Sequence, residues 1–66
     1  MNIIVNGEEK SFEDNMNLRA IMQNLQIEDK VMAAAINMDV VKKENWDTFV
    51  PNEGDKLELL QFVGGG

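Results

Sequence analysis

Sixty-six residues, 44% hydrophobic and 27% charged, are expected to make one small globular domain with a thin core. Twelve acidic residues against six basic ones give a net charge of −6, which argues against nucleic acid and membrane as partners and for a basic protein surface. Cysteine, histidine and tyrosine are absent, which excludes a thiol nucleophile, a disulfide, a histidine general base and a Cys/His zinc site.

No apolar stretch approaches the roughly 20 residues that span a bilayer. The N-terminal stretch Met1 to Asn6 lacks a basic region and a signal-type apolar run. A cytoplasmic location is therefore expected.

Asn2 to Val5 is apolar and β-branched, and Asn6-Gly7 follows it. Both turn residues tolerate positive φ, so a type I′ hairpin is predicted, with Glu8 to Glu13 returning and Phe12 facing the core. Asn15 or Asn17 can then accept from the orphan amides of a first helical turn. Leu18, Ile21, Met22 and Leu25 fall at i, i+3, i+4 and i+7, one face of a helix predicted from about Leu18 to Gln26. So short a helix must pack on a sheet to persist.

Val31 to Asn37 holds three alanines, which favour helix by propensity. Met32, Ala34 and Ile36 nevertheless alternate with Ala33, Ala35 and Asn37, and the spacing predicts a strand with small residues on one side. Met38-Asp39 is the predicted turn and Val40-Val41 a short strand. Lys42 to Phe49 reads as irregular, with Trp46 folded inward as a core plug. Pro51 to Asp55 is a dense turn signal, and Lys56 to Val63 is the last strand.

That last strand changes face. Leu57 and Leu59 share one side with Gln61 and Val63, while Leu60 and Phe62 lie on the other with Glu58. If Leu57 and Leu59 face the helix, Leu60 and Phe62 form an outward apolar pair, a candidate partner-docking surface. A bulge that turns Leu60 inward is the alternative.

Strand, strand, helix and three further strands make an α+β chain of the β-grasp pattern. A mixed sheet of four to five strands is packed on one helix over residues 1–63. The first and last strands are expected side by side and parallel at the centre, in keeping with apolar content on both of their faces. Gly64 and Gly65 are read as a flexible tail, since glycine lets backbone approach another surface closely. The carboxylate of Gly66 is read as the working group.

Ile3-Ile4-Val5-Asn6-Gly7 resembles the opening strand and turn of the ThiS sulfur carriers of thiamin biosynthesis, a ubiquitin-like family. Ala35-Ile36-Asn37, Val40-Val41 and Glu44-Asn45-Trp46 resemble the family's middle signature, and Gly54-Asp55, Leu57 to Leu60 and Gly65-Gly66 its end. The family often has proline where this chain has Lys42, and three glycines stand where two suffice. The resemblance implies a carrier with no catalytic side chain and no bound cofactor of its own. An E1-like adenylating enzyme would activate Gly66 with ATP and magnesium. A persulfide donor would supply sulfur, and thiazole synthase would consume it. Alternatives are a carrier for molybdopterin synthesis, a ubiquitin-like binding module with an inert tail and, least in keeping with the composition, a small enzyme.

Overall fold

The computed structural model describes residues 1–63; the expected glycine tail, Gly64 to Gly66, lies outside the described residues. Two hairpins and one long last strand build a five-stranded sheet in the order β2-β1-β5-β3-β4. β1 (Asn2–Val5) and β2 (Glu8–Ser11) pair antiparallel, with Val5 opposite Glu8. That register leaves a two-residue turn, and Asn6 and Gly7 take φ of 49° and 85°, the type I′ pattern the dipeptide predicts. β5 (Lys56–Gln61) inserts between the hairpins, parallel to β1 and antiparallel to β3 (Val31–Ile36).

The second hairpin joins β3 to β4 (Asp39–Val41), with Ile36 opposite Asp39. The turn is Asn37-Met38, one residue earlier than predicted. Asn37 takes φ of 49°, which its short polar side chain tolerates, and its amide is fixed across the turn. Its Oδ1 accepts from the Lys56 N–H at 3.0 Å and its Nδ2 donates to Asp55 at 3.0 Å. Met38 follows at φ 76°, a conformation its side chain disfavours.

Helix α1 (Leu18–Asn24) packs its predicted stripe on the sheet: Leu18, Ile21 and Met22 are fully buried, and Leu25 is half-buried. Asn17, of the two candidates, is the cap; its Oδ1 accepts from the Ala20 N–H at 2.7 Å. The helix ends before Gln26 because Gln26 turns left-handed at φ 61°. The Ile27 N–H then reaches the Met22 carbonyl and the Gln26 N–H the Gln23 carbonyl, both at 3.0 Å. These are the two bonds of a Schellman motif, with glutamine where glycine is usual.

The 42–49 segment closes the core as a 3₁₀ turn (Lys43–Asn45) followed by Trp46, which is 1% exposed. The indole Nε1 donates to the Val41 carbonyl at 3.0 Å, so the one polar atom of the plug is satisfied. Arg19 bonds Asp47 at 2.6 Å and Glu28 at 3.0 Å and lies 5.6 Å from the Trp46 ring centre. It thereby ties α1 to the 3₁₀ turn Glu28–Lys30 and to the 42–49 segment.

Ile3, Val5, Leu57, Leu59, Ala34 and Ile36 meet the helix, and the opposite face of the sheet has no covering element among the described residues. The apolar content of the central strands is thus buried on one face only. Within β3 the predicted alternation breaks at Met32. Val31 pairs with Gln61 and Ala33 with Leu60, so Met32 is the extra residue of a β-bulge. The bulge turns Val31 inward beside Ala34 and Ile36 and leaves Met32 exposed.

Two left-handed positions are occupied by residues that do not favour them. Met38→Gly and Gln26→Gly are each expected to raise the unfolding free energy by about 0.5–1 kcal/mol in urea denaturation, as relief of backbone strain.

Candidate functional site

Strand β5 leads from the core to the tail. Its first half is central: Leu57 is 0% exposed and Leu59 is buried against the helix. Its second half emerges, with Leu60 and Phe62 each 62% exposed and Val63 94% exposed. The bulge lies in β3 rather than β5, so Leu60 keeps the outward side its place in the alternation gives it.

Around Leu60 the open face is low and apolar. Ala33 and Ala35 stand opposite Leu60 and Glu58, and Val40 stands opposite Ala35. Together with Leu60 and Asn6 they border a shallow depression of about 370 Å³. The alanine side chains are short enough for another backbone to approach the sheet there. Glu9, Lys56 and Glu58 share this face by register and give it a mixed polar margin.

The root of the tail is anchored from two sides. The Phe62 N–H donates to the Lys30 carbonyl at 2.7 Å, which carries the β3 pairing one residue past the strand. On the other flank β1 pairs only as far as Leu57. There the side chain of Asn6 takes over: its Oδ1 accepts from the Leu59 N–H at 2.8 Å and its Nδ2 donates to the Leu59 carbonyl at 3.3 Å. One side-chain amide thus stands in for a strand residue.

Arg19, on the helix side of the sheet, is held above its ordinary range first by its hydrogen bond to Glu28 and then by that to Asp47. Among the described residues no group of three His, Cys, Asp or Glu is placed to hold a metal ion, and no helix is long and apolar enough to cross a membrane.

The structure brings Leu60 and Phe62 to the same end of the sheet as Val63, while Gly64, Gly65 and Gly66 lie outside the described residues. Sequence reasoning misses Val40 and the Asn6 bridge. The Val40-Val41 pair signals that one valine faces out, but it does not say that Val40 joins Leu60 across β3. The Asn6-Gly7 turn signal accounts for the φ angles and is silent about where the amide points.

A mixed sheet of this order clasping one helix, with its last strand at the centre, defines the ubiquitin-like β-grasp class. The profile of the ThiS family matches residues 3–66, and the chain belongs to that family. A thiazole synthase of Paramagnetospirillum magneticum is 35% identical over all 66 residues, and the chain spans about one-fifth of that protein's length. The sulfur carrier protein ThiS of Escherichia coli is 26% identical, with both chains covered completely. The crystal structure of the thiamine biosynthesis protein ThiS from Geobacter metallireducens superposes with a TM-score of 0.79 at 28% identity, again covering both chains completely.

Asn6→Gly keeps the positive φ of the turn and removes both bonds to Leu59. We expect a loss of about 1–2 kcal/mol of stability. Hydrogen exchange at the Leu59 amide should speed up more than at Leu57, whose flank is held by backbone.

Proposed function

We propose that the chain is a sulfur carrier of thiamin biosynthesis and that the α-carboxylate of Gly66 is the group that carries the sulfur. The observation that supports this most is the strand that leads to the tail. β5 is fixed in the sheet through Phe62, apolar and exposed at Leu60 and Phe62, and followed by Val63 and three glycines. The full-length likeness to sulfur carrier proteins agrees with it.

The chemistry begins with an anion. A terminal carboxylate, with pKa near ~3.5, is ionised at neutral pH. It resists nucleophiles because its charge is delocalised and oxide is a poor leaving group. An E1-like enzyme using ATP with magnesium transfers AMP to one carboxylate oxygen and releases pyrophosphate. The product is a mixed anhydride with AMP as leaving group. The terminal sulfur of a donor persulfide attacks the Gly66 carbonyl and displaces AMP. A thiol then cleaves the S–S bond, forming a disulfide with the donor and leaving a thiocarboxylate on Gly66. Thiazole synthase takes the sulfur from there.

The chain's own part is presentation. Glycines have no side chain to obstruct a narrow channel, and Leu60 with Phe62 offers an apolar docking surface at the root of the tail. The likeness to a thiazole synthase favours the thiamin customer over a molybdopterin one.

Incubation with the cognate adenylating enzyme and ATP should add the mass of one AMP at the C-terminus. One residue appended after Gly66 should abolish the adduct; loading that survives the extension would overturn the carboxylate mechanism. Leu60→Asp should raise the KM for loading about tenfold, equivalent to about 1.4 kcal/mol of binding. The exposed position predicts a stability change within about 0.5 kcal/mol. A large loss of stability instead would mean that Leu60 belongs to the core.

A further inference from the structure

Among the described residues the sheet has three free margins, and they differ. The outer margin of β2 carries Glu8, Glu9 and Lys10, charges of the kind that keep other strands away. The outer margin of β4 is three residues long, and the carbonyl of Val41 at its end is already taken by Trp46. The third margin is internal. It begins where β1 turns away at Asn6 and leaves the flank of β5 without a neighbouring strand.

The direction of the β5 backbone groups follows from the bonds they make. The Leu57 carbonyl accepts from the Asn6 N–H at 2.9 Å, and the Leu59 N–H and carbonyl both bond the Asn6 amide. Odd-numbered residues of β5 therefore point toward β1. The Lys56 carbonyl and the Phe62 N–H bond Asn37 and Lys30, so even-numbered residues point toward β3. The N–H and C=O of Gln61 consequently aim at the flank β1 has vacated, where no described residue bonds them; the same alternation carried past Phe62 would put the N–H of Val63 there too.

This margin has apolar side chains on both sides. On the helix side Val5, Leu25 and Ile27, together with the polar Asn6, Glu8, Lys10 and Gln61, line a mixed depression of about 200 Å³. On the open side stand Leu60 and Phe62. A strand laid along Gln61 to Val63 would send alternate side chains to these two places, while its backbone satisfies the orphan groups.

We propose that an extended segment of thiazole synthase adds to the sheet here, as a strand beside residues 61–63 on the β1 side. The inference rests on the carrier reading, because an enzyme that draws in the tail must place its channel wall beside the last residues held by the sheet. The relative in which this sequence matches one-fifth of a thiazole synthase points to that enzyme as the occupant. Main-chain pairing would supply affinity at the root of the tail, and the Asn6 amide would set where the added strand stops.

The test titrates purified thiazole synthase into the wild-type carrier, Gln61→Pro and Gln61→Ala. Proline removes the N–H that no β3 bond uses, so the β3–β5 ladder stays whole. Gln61→Pro should weaken binding at least tenfold and Gln61→Ala less than about threefold, a difference of the order of one main-chain hydrogen bond to an added strand. Equal affinity of a folded Gln61→Pro and the wild type would overturn the proposal. Amide hydrogen exchange in the wild-type complex provides a second reading that needs no variant: Gln61 and Val63 should be protected on binding. A complex in which both amides exchange as in the free carrier rules out the added strand while leaving the carrier function intact. If the wild type does not bind thiazole synthase but is still adenylated, the added strand falls and the Gly66 chemistry stands.

Discussion

Two asparagine side chains grip β5, one from each hairpin, and the rest of the structure depends on that grip. Asn6 and Asn37 occupy the same position in two type I′ turns, both at φ of 49°. Asn37 bonds the N–H of Lys56 where the strand enters the sheet, and Asn6 bonds both backbone groups of Leu59 where its neighbour β1 has run out. A strand that must be central at Leu57 and free by Val63 needs its flanking pairs to end in a controlled way. Left-handed asparagine supplies the turn and the last hydrogen bond of the ladder with one residue.

The core follows from this placement. Leu57 and Leu59 sit over Leu18, Ile21 and Met22 because β5 lies between the two hairpins, and the helix has one stripe to bury. With the helix on one face, the other face is left to Ala33, Ala35, Val40 and Leu60. The same parity that buries Leu59 turns Leu60 outward. Core and proposed docking surface are thus alternate residues of one strand, and a slip of one position would exchange them.

Much of this was legible in the residues. Asn6-Gly7 and the i, i+3, i+4, i+7 stripe are local signals with one structural solution each, and the first hairpin and the helix followed from them. The alternation of the last strand left an outward Leu60 and an inward bulge both open, and the structure puts the bulge in β3 instead. The second turn was harder because Met38-Asp39 and Asn37-Met38 are close in propensity. Tertiary bonds from Asn37 to Lys56 and Asp55 decided between them. The helix end was misplaced for a related reason: glutamine gives no warning of a left-handed cap. The bulge at Met32 depends on Val31 finding the core, a long-range demand that no window of the sequence contains. The proposed chemistry rests on Gly64 to Gly66, which lie outside the described residues; the signal there is the absence of side chains in the sequence.

If the last carbonyl of this chain carries sulfur, as proposed, the loaded form should be present in its own cells. The direct measurement is the intact mass and C-terminal fragment mass of the protein isolated from its own cells during thiamin starvation. A fraction of molecules should have one oxygen of Gly66 replaced by sulfur, lost on treatment that hydrolyses thiocarboxylates. A chain that ends in an unmodified carboxylate in every molecule, or continues past Gly66, while thiazole synthesis proceeds at its full rate would contradict it.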